Sequence, residues 1–279
     1  MASGRLVVAA AQFPCCDDDV EANVQAHFAL IAEAQGVGVD LLLFPELSLT
    51  GYAGGATAPE RGQVPDIGVL YRLAAACSGI AVSVGLPEEG ATGIFYNTQV
   101  LMRDGAILHR HRKINLPTYG RLEEGKSFAA GRIVEPVRLG EWSVATLICA
   151  DTWNPALPWL AALSGADVLL VPIASALDAV GGDWDQAAGW DINLRYAALT
   201  YGMPVVMANH IKPCRFWGGS RVLDACGREI ARAGNAPGLS LASLERSSVR
   251  TARRLLPTIR DATPEIIEGE LRRRLAVVA

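Results

Sequence analysis

The chain contains 279 residues, of which 51% are hydrophobic and 19% are charged, so it is long and apolar enough to bury a sizeable core. Its formal net charge at pH 7 is -4, which provides no overall basic field to hold nucleic acid or an anionic membrane. The late arginine clusters at 253–254 and 272–274 are expected to form a solvated helix face or a subunit contact. A small-molecule partner is therefore favoured, with no nucleic acid and no membrane.

The cysteine pattern argues against a metal site and against a disulfide framework. The six cysteines are Cys15, Cys16, Cys77, Cys149, Cys214 and Cys226. No CxxC motif and no Cys/His pair has the spacing of a zinc site, and the irregular spacing favours reduced thiols of a cytoplasmic protein. We predict no metal and no cofactor. No window reaches 18 uncharged apolar residues, so no membrane span is predicted either.

Apolar strand-like runs alternate with helical stretches along the chain. The run at residues 5–14 resembles a weak signal peptide, but it lacks a fuller positively charged leader and ends in Gln12 and Pro14, so it predicts the first strand. Further strands are predicted over residues 39–46, 80–87, 96–102, 142–150, 166–174 and 204–211. Helical spacing predicts helices over residues 23–38, 69–79 and 190–202. Many of the strands are apolar on both faces, which indicates a layered α/β domain with helices covering a sheet.

No internal repeat and no low-complexity linker divides the chain, so we predict a single domain over residues 1–279. The tail at residues 251–279 is polar and contains a helical stretch, with Thr263 as the N-cap and Pro264 in the first turn. We expect this tail to pack on a neighbouring subunit.

Three predicted strand ends carry side chains capable of chemistry, namely Glu46, Lys113 and Cys149. Acyl transfer from an amide needs a nucleophile, a base, and a positive or donor group where the oxyanion develops, and these three residue types fill those roles. A carboxylate after an apolar strand is desolvated, which raises its pKa toward that of a useful general base. Structural readings also remain open: Glu46 could cap a turn, Lys113 could pair with a surface carboxylate, and Cys149 could simply be packed in the core.

Three ordered segments resemble the motifs of the nitrilase superfamily of carbon-nitrogen hydrolases. LLLFPELSLTGY is similar to the glutamate motif of this family, HRKINLPTYG to its lysine motif, and LICADTWNP to its cysteine motif. FWGGSRVLDACGREIARAG resembles the strand pair that follows, and RRLLPTIRD resembles a tail segment of many members. The resemblance extends from VVAAAQFP to about residue 261. It implies a four-layer αββα sandwich that forms a homodimer or a larger homo-oligomer through a helical face.

The resemblance also implies a role for each motif residue. Cys149 attacks the carbonyl or nitrile carbon, and Glu46 is the general base. Lys113 and the backbone N–H of Ala150 stabilise the tetrahedral intermediate, and the charge of the lysine is expected to favour the thiolate. A second family glutamate aligns with Glu124 in RLEEGKSF, with the preceding Glu123 as the alternative.

Departures from the family pattern bear on the substrate pocket. Many members have an aromatic residue after the cysteine, where this chain has Ala150, and together with the aromatic Trp153 this implies a pocket of different shape. Tyr52 and Ser175 are further candidates for substrate binding. Tyr52 could instead be a core residue with a satisfied hydroxyl, and Ser175 a turn residue.

The favoured reaction is hydrolysis of the carbon-nitrogen bond of a small amide. The same residues could open a nitrile through a thioimidate. An N-carbamoyl amino acid is less favoured because no arginine flanks the cysteine motif, although Arg195 or Arg215 could reach the site from another segment. A catalytically silent homologue that acts as a binding partner is the non-enzyme alternative, and the intact residues Glu46, Lys113 and Cys149 argue against it.

A cysteine hydrolase of the papain type would instead need a histidine base. The candidates are His27, His109, His111 and His210. His27 is expected at the surface or in packing. On a strand, His109 and His111 would share a face with Lys113, which makes His111 a candidate neighbour of the site. His210 follows a predicted strand and could line the pocket.

Overall fold

The computed structural model describes residues 4–17, 19–52, 64–181 and 183–278. The strands are β1 (Arg5–Gln12), β2 (Leu41–Leu43), β3 (Ala81–Glu89), β4 (Phe95–Arg103), β5 (Ala106–Arg112), β6 (Val137–Leu139), β7 (Trp142–Thr146), β8 (Val168–Ile173), β9 (Val205–Asn209), β10 (Ile211–Lys212), β11 (Phe216–Trp217), β12 (Arg221–Leu223), β13 (Glu229–Arg232) and β14 (Gly238–Glu245). The helices are α1 (Val20–Gly36), α2 (Ile67–Ala76), α3 (Ala156–Leu163), α4 (Gln186–Tyr201), α5 (Arg246–Leu255) and α6 (Pro264–Val278).

Most of the strands belong to two six-stranded sheets. The first sheet has the order β14-β1-β2-β3-β4-β5, and the second has the order β13-β12-β9-β8-β7-β6. In each sheet the central strands are parallel, β1-β2-β3 in the first and β7-β8-β9 in the second. Parallel neighbours need crossover connections, and α1 to α4 supply them. The carboxyl ends of the central strands in each sheet therefore lie at a common edge.

Apolar side chains fill three layers between these elements. Leu41 and Leu43 point into the layer between the two sheets, whereas Leu42 points into the layer between the first sheet and its helices. A third layer lies between the second sheet and α3 and α4, where Trp190 and Leu194 are buried. Because alternate residues of β2 face two different apolar layers, all three leucines are fully buried. The predicted four-layer αββα sandwich is confirmed.

Short polar caps fix where the long helices begin. The Asp19 side chain accepts the N–H of Ala22 at the start of α1, and the Asp185 side chain accepts the N–H of Ala188 at the start of α4. Helix α4 ends at Gly202, which has a φ of +57°. Gln186, the first residue of α4, lies beside Ser175, which follows the end of β8 by two residues.

The predicted strands and helices all form, but several are shorter than predicted. The strand predicted at residues 39–46 is reduced to Leu41–Leu43, because the chain enters a run of turns at Glu46. The predicted strand at 142–150 ends at Thr146. The strand predicted before Lys113 forms as β5. It contains no apolar run, because this edge strand carries partly exposed polar side chains such as His109 and Arg110. The signal-peptide-like segment forms β1.

The first part of the tail packs on its own chain, whereas the helix that follows exposes apolar side chains. Arg253 donates to the backbone oxygen of Ala166, and Thr258 donates to that of Thr200, so the first part of the tail packs on its own chain. The predicted helix after Thr263 is α6, on which Ile266 and Leu271 are 63% and 56% exposed. Among the described residues, no helix is both long enough and apolar enough to cross a membrane.

A buried carboxylate joins the two sheets at the edge where the strands end. Asp151 is fully buried, and its Oδ1 accepts the backbone N–H groups of Ile114 and Asn115 at 2.9 and 2.8 Å. Its Oδ2 accepts the N–H of Ile148 at 3.0 Å and contacts Nε2 of His111 at 2.9 Å. Ile114 and His111 flank the end of β5, whereas Ile148 follows β7. One side chain therefore fixes the segment after β5 against the turn after β7.

We expect Asp151→Asn to lower the free energy of unfolding by about 2 kcal/mol or more, because an amide nitrogen replaces one acceptor oxygen and leaves buried donors unpaired. Urea denaturation measures the change. Asp261→Asn is the matched control, since Asp261 is exposed and pairs with the adjacent Arg260; its unfolding midpoint should stay close to that of the wild type. Equal midpoints for both variants would contradict the structural role of Asp151.

Candidate active site

The side chains predicted to take part in catalysis meet where the strands of both sheets end. Glu46 lies in the turn after β2, and Lys113 directly follows β5, so the first sheet supplies both. Cys149 begins a 3-10 turn after β7 in the second sheet. Glu124 begins a 3-10 turn at Glu124–Lys126, in the connection from β5 to β6. The structure thus brings together four side chains from three distant parts of the sequence.

Lys113 forms a bridge between two carboxylates. Its Nζ lies 2.6 Å from Oε1 of Glu46 and 2.8 Å from Oε1 of Glu124. The side chains of Lys113, Glu46 and Glu124 are 0%, 1% and 3% exposed, so this charge cluster is shielded from water. Glu123, the alternative to Glu124, is instead half exposed and pairs with Lys126 at 2.8 Å. Of the two glutamates, Glu124 is the one that contacts Lys113.

Additional donors fix the orientation of Glu46. Asn97 donates from Nδ2 to Oε1 of Glu46 at 2.8 Å, and the backbone N–H of Ala174 donates to Oε2 at 2.9 Å. Nε2 of His210 lies 2.8 Å from the backbone oxygen of Glu46. The adjacent Leu47 has a φ of +50°, an uncommon conformation for a residue other than glycine. The carboxylate is therefore held by contacts from both sheets.

The cluster shifts the pKa values of Lys113 and Glu124. Burial lowers the pKa of Lys113, but Glu124 and Glu46 outweigh it and hold this pKa well above its ordinary range. Burial raises the pKa of Glu124 to about 7, although Lys113 opposes the shift. Lys113 therefore remains an ammonium ion, shared by Glu46 and by a second carboxyl group that titrates near neutral pH.

Cys149 occupies a strained turn that places its sulfur in the cavity. Its φ is +45°, and backbone strain of this kind in a residue other than glycine persists only where the surroundings enforce it. The Thr152 hydroxyl donates to the backbone oxygen of Cys149 at 2.9 Å, and Asp151 accepts the N–H of the preceding Ile148 at 3.0 Å. These bonds hold the turn on both sides of the cysteine.

The thiol of Cys149 is neutral in the resting site. Burial raises its pKa, the negative charge of Glu46 raises it further, and Lys113 only partly lowers it, so the pKa lies well above the ordinary range. Lys113 thus favours the thiolate, as expected from the sequence, but desolvation and two nearby carboxyl groups outweigh this one ammonium ion.

Cys149 opens into a cavity of about 260 Å³ that Glu46 and Glu124 also line. Three tryptophans contribute to its wall, with the ring of Trp153 at centroid distances of 6.3 Å from Trp184 and 5.1 Å from Trp190. The remaining lining residues are mostly small or apolar: Tyr52, Pro117, Tyr119, Leu122, Ala150, Ala174, Ser175, Ala179, Val180 and Gln186. The four predicted substrate-binding residues, Tyr52, Ala150, Trp153 and Ser175, all lie in this wall.

The polar groups of two of these residues already have protein partners. The Tyr52 hydroxyl donates to Oε1 of Glu124 at 2.9 Å. The Ser175 hydroxyl oxygen accepts the indole N–H groups of Trp190 and Trp217 at 3.0 and 3.1 Å, and it donates to Oε1 of Gln186 at 3.3 Å. Tyr52 therefore supports Glu124, and Ser175 orders the wall around it.

None of the four histidines lines the cavity that contains the thiol. His27 is buried beside Ser48, and burial lowers the pKa of His27 and of His210 to about 4, so both are neutral. His111 contacts Asp151, as its predicted position near the site suggested. Among the described residues, no histidine lines the cavity of Cys149. A papain-type Cys/His mechanism therefore has no base available there.

Neither arginine considered from the sequence reaches the cavity. Arg195 pairs with Asp191 at 2.7 Å, and Arg215 pairs with Asp17 at 2.5 Å. Within the described ranges, no group of three or more His, Cys, Asp or Glu side chains has an arrangement that could hold a metal ion.

Sequence analysis missed three residues that organise the site, namely Asn97, Asp151 and Gln186. His210, which was expected to line the pocket, instead contacts the backbone oxygen of Glu46. A signal for Asn97 was present, because it is a polar residue within an apolar strand that is buried on both faces. Asp151 lies within the quoted cysteine motif, but its partners at residues 111–115 follow only from the fold.

Comparisons with known proteins agree on one family. A family model for carbon-nitrogen hydrolases matches residues 7–254. The Pseudomonas protegens protein named Hydrolase in pqqF 5'region is 32% identical over 269 residues, which cover 94% of this chain and 90% of that protein. The Homo sapiens Deaminated glutathione amidase is 29% identical, and the match covers 89% of this chain and 80% of that protein.

A solved structure of an amidase variant from Nesterenkonia sp. AN1 has the same fold. It has a TM-score of 0.81 at 26% identity, and the match covers 96% of this chain and 97% of that chain. In that variant, the acetamide moiety of fluoroacetamide is covalently added at the active-site cysteine. The matched family model, the relatives and the shared fold lead to one conclusion: this chain belongs to the carbon-nitrogen hydrolase family of the nitrilase superfamily, and it is a carbon-nitrogen hydrolase.

Proposed function

We propose that this enzyme hydrolyses the carbon-nitrogen bond of a small amide through a thioester on Cys149. The observation that carries the proposal is the ammonium group of Lys113, held 2.6 Å from Glu46 and 2.8 Å from Glu124, because these two carboxyl groups line the cavity that contains the thiol. This arrangement supplies a nucleophile, a base and a positive charge at one place.

Each side chain then has a defined step. As the sulfur of Cys149 bonds to the amide carbon, Glu46 takes the thiol proton, which suits a thiol that is neutral at rest. The oxyanion that forms is stabilised by Lys113 and the backbone N–H of Ala150. Glu46 returns the proton to the nitrogen, the carbon-nitrogen bond breaks, and ammonia or an amine leaves. Glu46 then activates water, which attacks the thioester and releases the acid and the thiol.

Glu124 completes the set as a residue that orients Lys113 and faces the substrate. Its Oε1 accepts from both Lys113 and Tyr52, so the position of the ammonium ion is fixed from two sides. Because Glu124 also lines the cavity, its carboxyl group is available to the amide nitrogen of a bound substrate.

An amide is favoured over the other substrate classes. The named relative from Homo sapiens and the similar Nesterenkonia structure are both amidases. A nitrile is the alternative within the same chemistry, opened by Cys149 through a thioimidate. An N-carbamoyl amino acid is disfavoured because no arginine lines the cavity within the described part of the chain. A cytoplasmic location remains a prediction from the cysteine pattern.

The wild-type enzyme, mixed with small amides, nitriles and carbamoyl compounds, should form a transient acyl adduct on Cys149 and release ammonia or an amine. Intact-protein mass spectrometry detects the adduct, and its mass identifies the acyl group. Cys149→Ala should form none, because the nucleophile is absent. Glu46→Gln should lower kcat by about a hundredfold or more, because the general base is lost.

The matched control is Glu123→Gln, which changes an exposed glutamate next to the site and should leave turnover unchanged. A silent homologue is indicated if no compound gives an adduct or a product and if Cys149 also resists iodoacetamide in the folded protein at about pH 9. An adduct that persists in Cys149→Ala would refute the assigned nucleophile.

The alkylation of Cys149 tests the charge effect of Glu46 separately from turnover. Because the pKa of the thiol is raised well above its ordinary range, the rate of wild-type labelling by iodoacetamide should still be increasing at about pH 9. In Glu46→Gln one source of the upward pKa shift is removed, so we expect the labelling curve to move to lower pH, with labelling about tenfold faster at about pH 8. A shift to higher pH would contradict this electrostatic role.

We further propose that residues 1–279 form one domain that self-associates as a homodimer or a larger homo-oligomer. Helix α4 exposes an apolar stripe at Ile192, Tyr196 and Leu199, which are 71%, 52% and 50% exposed and lie on one helix face. Helix α6 of the tail exposes Ile267 and Leu271 in the same way. A second copy of the chain that covers these helices would bury both stripes.

Sedimentation velocity should therefore detect a dimer or larger species of the wild-type protein, and Ile192→Glu should shift the distribution toward the monomer, because a buried unpaired charge is costly at an interface. Val37→Glu is the control, since Val37 is 58% exposed at the end of α1, away from both stripes. A wild-type protein that is monomeric at working concentration would contradict the proposal.

A further inference from the structure

The amide of Gln186 is oriented by a fixed set of hydrogen bonds. The Ser175 hydroxyl oxygen accepts two indole N–H groups, from Trp190 at 3.0 Å and from Trp217 at 3.1 Å. Both lone pairs of this oxygen are then used, so its proton is directed to Oε1 of Gln186 at 3.3 Å. The oxygen of the amide thus faces Ser175, and the opposite nitrogen is left to find an acceptor elsewhere.

The nitrogen of this amide has no acceptor among the described residues. Nε2 of Gln186 is buried and unpaired, and the whole residue is only 6% exposed. Gln186 lies in the wall of the cavity that contains Cys149, and its backbone is fixed at the start of α4 by the Asp185 cap. A buried unpaired amide donor is unfavourable, and a ligand oxygen placed against it would satisfy it.

The rest of the wall selects against charge. Trp153, Trp184 and Trp190 provide flat apolar surface, whereas Glu46 and Glu124 supply negative charge near the thiol. Within the described part of the chain, no lysine, arginine or histidine lines the cavity. Glu46 and Glu124 share the single ammonium ion of Lys113, so an anionic acyl group would add a negative charge with no further cation in the described lining.

We propose that the cavity takes amides whose acyl group is flat, uncharged and largely apolar and carries one hydrogen-bond-accepting oxygen, which pairs with Nε2 of Gln186. Substituted aromatic carboxamides with an ether or carbonyl oxygen fit this description. The cavity of about 260 Å³ suits one ring with a short substituent, since benzene occupies cavities of roughly 150 Å³. The inference rests on the proposed function, because it takes Cys149 as the residue that meets the scissile amide.

The Cys149→Ala variant lacks the nucleophile, so binding can be measured in it without turnover. The three indoles of the wall supply a fluorescence signal for that binding. The probes are 3- and 4-methoxybenzamide, the ethylbenzamides of similar size that lack the oxygen, and 4-carboxybenzamide, which is anionic. We expect a methoxybenzamide to bind about tenfold more tightly than its ethyl counterpart, which is the effect of about one hydrogen bond. The carboxybenzamide should bind at least about tenfold more weakly than either.

Adding Gln186→Met should abolish the preference for methoxy over ethyl while binding of the ethyl compound is retained, because only the donor is lost. Gln25→Met in the same background is the matched control, since Gln25 is exposed on α1 and should leave the preference intact. The inference is overturned if no uncharged aromatic amide binds, if the ethyl compounds bind as tightly as the methoxy compounds before Gln186 is changed, or if the anionic compound binds best.

Ammonia release by the wild-type enzyme distinguishes failure of the proposed hydrolysis from failure of the inferred acyl-group preference. If the expected binding order is found but the wild type hydrolyses none of the bound amides, the proposed reaction fails and the inferred cavity chemistry stands. If the wild type releases ammonia from amides without the expected order, the inference about the acyl group fails and the proposed reaction stands.

Discussion

The buried ammonium ion of Lys113 is the constraint on which the rest of this site depends. A charge with no access to water needs close opposite charges and further hydrogen bonds, and here two carboxyl groups provide them. Those carboxyl groups must in turn be held, by Asn97 and Ala174 for Glu46 and by Tyr52 for Glu124. The same cluster raises the pKa of the nearby thiol, so the electrostatics of the lysine and of Cys149 cannot be adjusted independently.

Neither sheet contains the site alone, so buried polar groups that join the two sheets also hold the site together. Glu46 and Lys113 come from the first sheet and Cys149 from the second, and the backbone N–H of Ala174 crosses from the second sheet to Glu46. Asp151 makes the reciprocal connection, from the cysteine turn to the segment that follows β5. Correct spacing between nucleophile and base is thus a property of how the two sheets pack.

The strands that are apolar on both faces predicted a layered α/β domain, and the resemblance to the nitrilase superfamily implied the four-layer sandwich. The ordered motifs singled out Glu46, Lys113 and Cys149, which the fold places together. Local pattern could not separate Glu123 from Glu124, since adjacent residues differ only in which way the turn points them. Gln186 carried no signal, because its meaning depends on Ser175 and on indoles brought in by the fold. The favourable effect of Lys113 on the thiolate could be inferred from the motif, whereas the desolvation that outweighs it follows only from the fold.

The neutral thiol also bears on chemical durability. Oxidants such as peroxide react with thiolates far faster than with thiols, so a cysteine that ionises only as it attacks a substrate is protected between turnovers. Cys16, Cys214 and Cys226 are exposed on the surface, where solvent-borne oxidants meet them first. Surroundings that raise the pKa of Cys149 for the benefit of proton transfer to Glu46 therefore also slow its oxidation between turnovers.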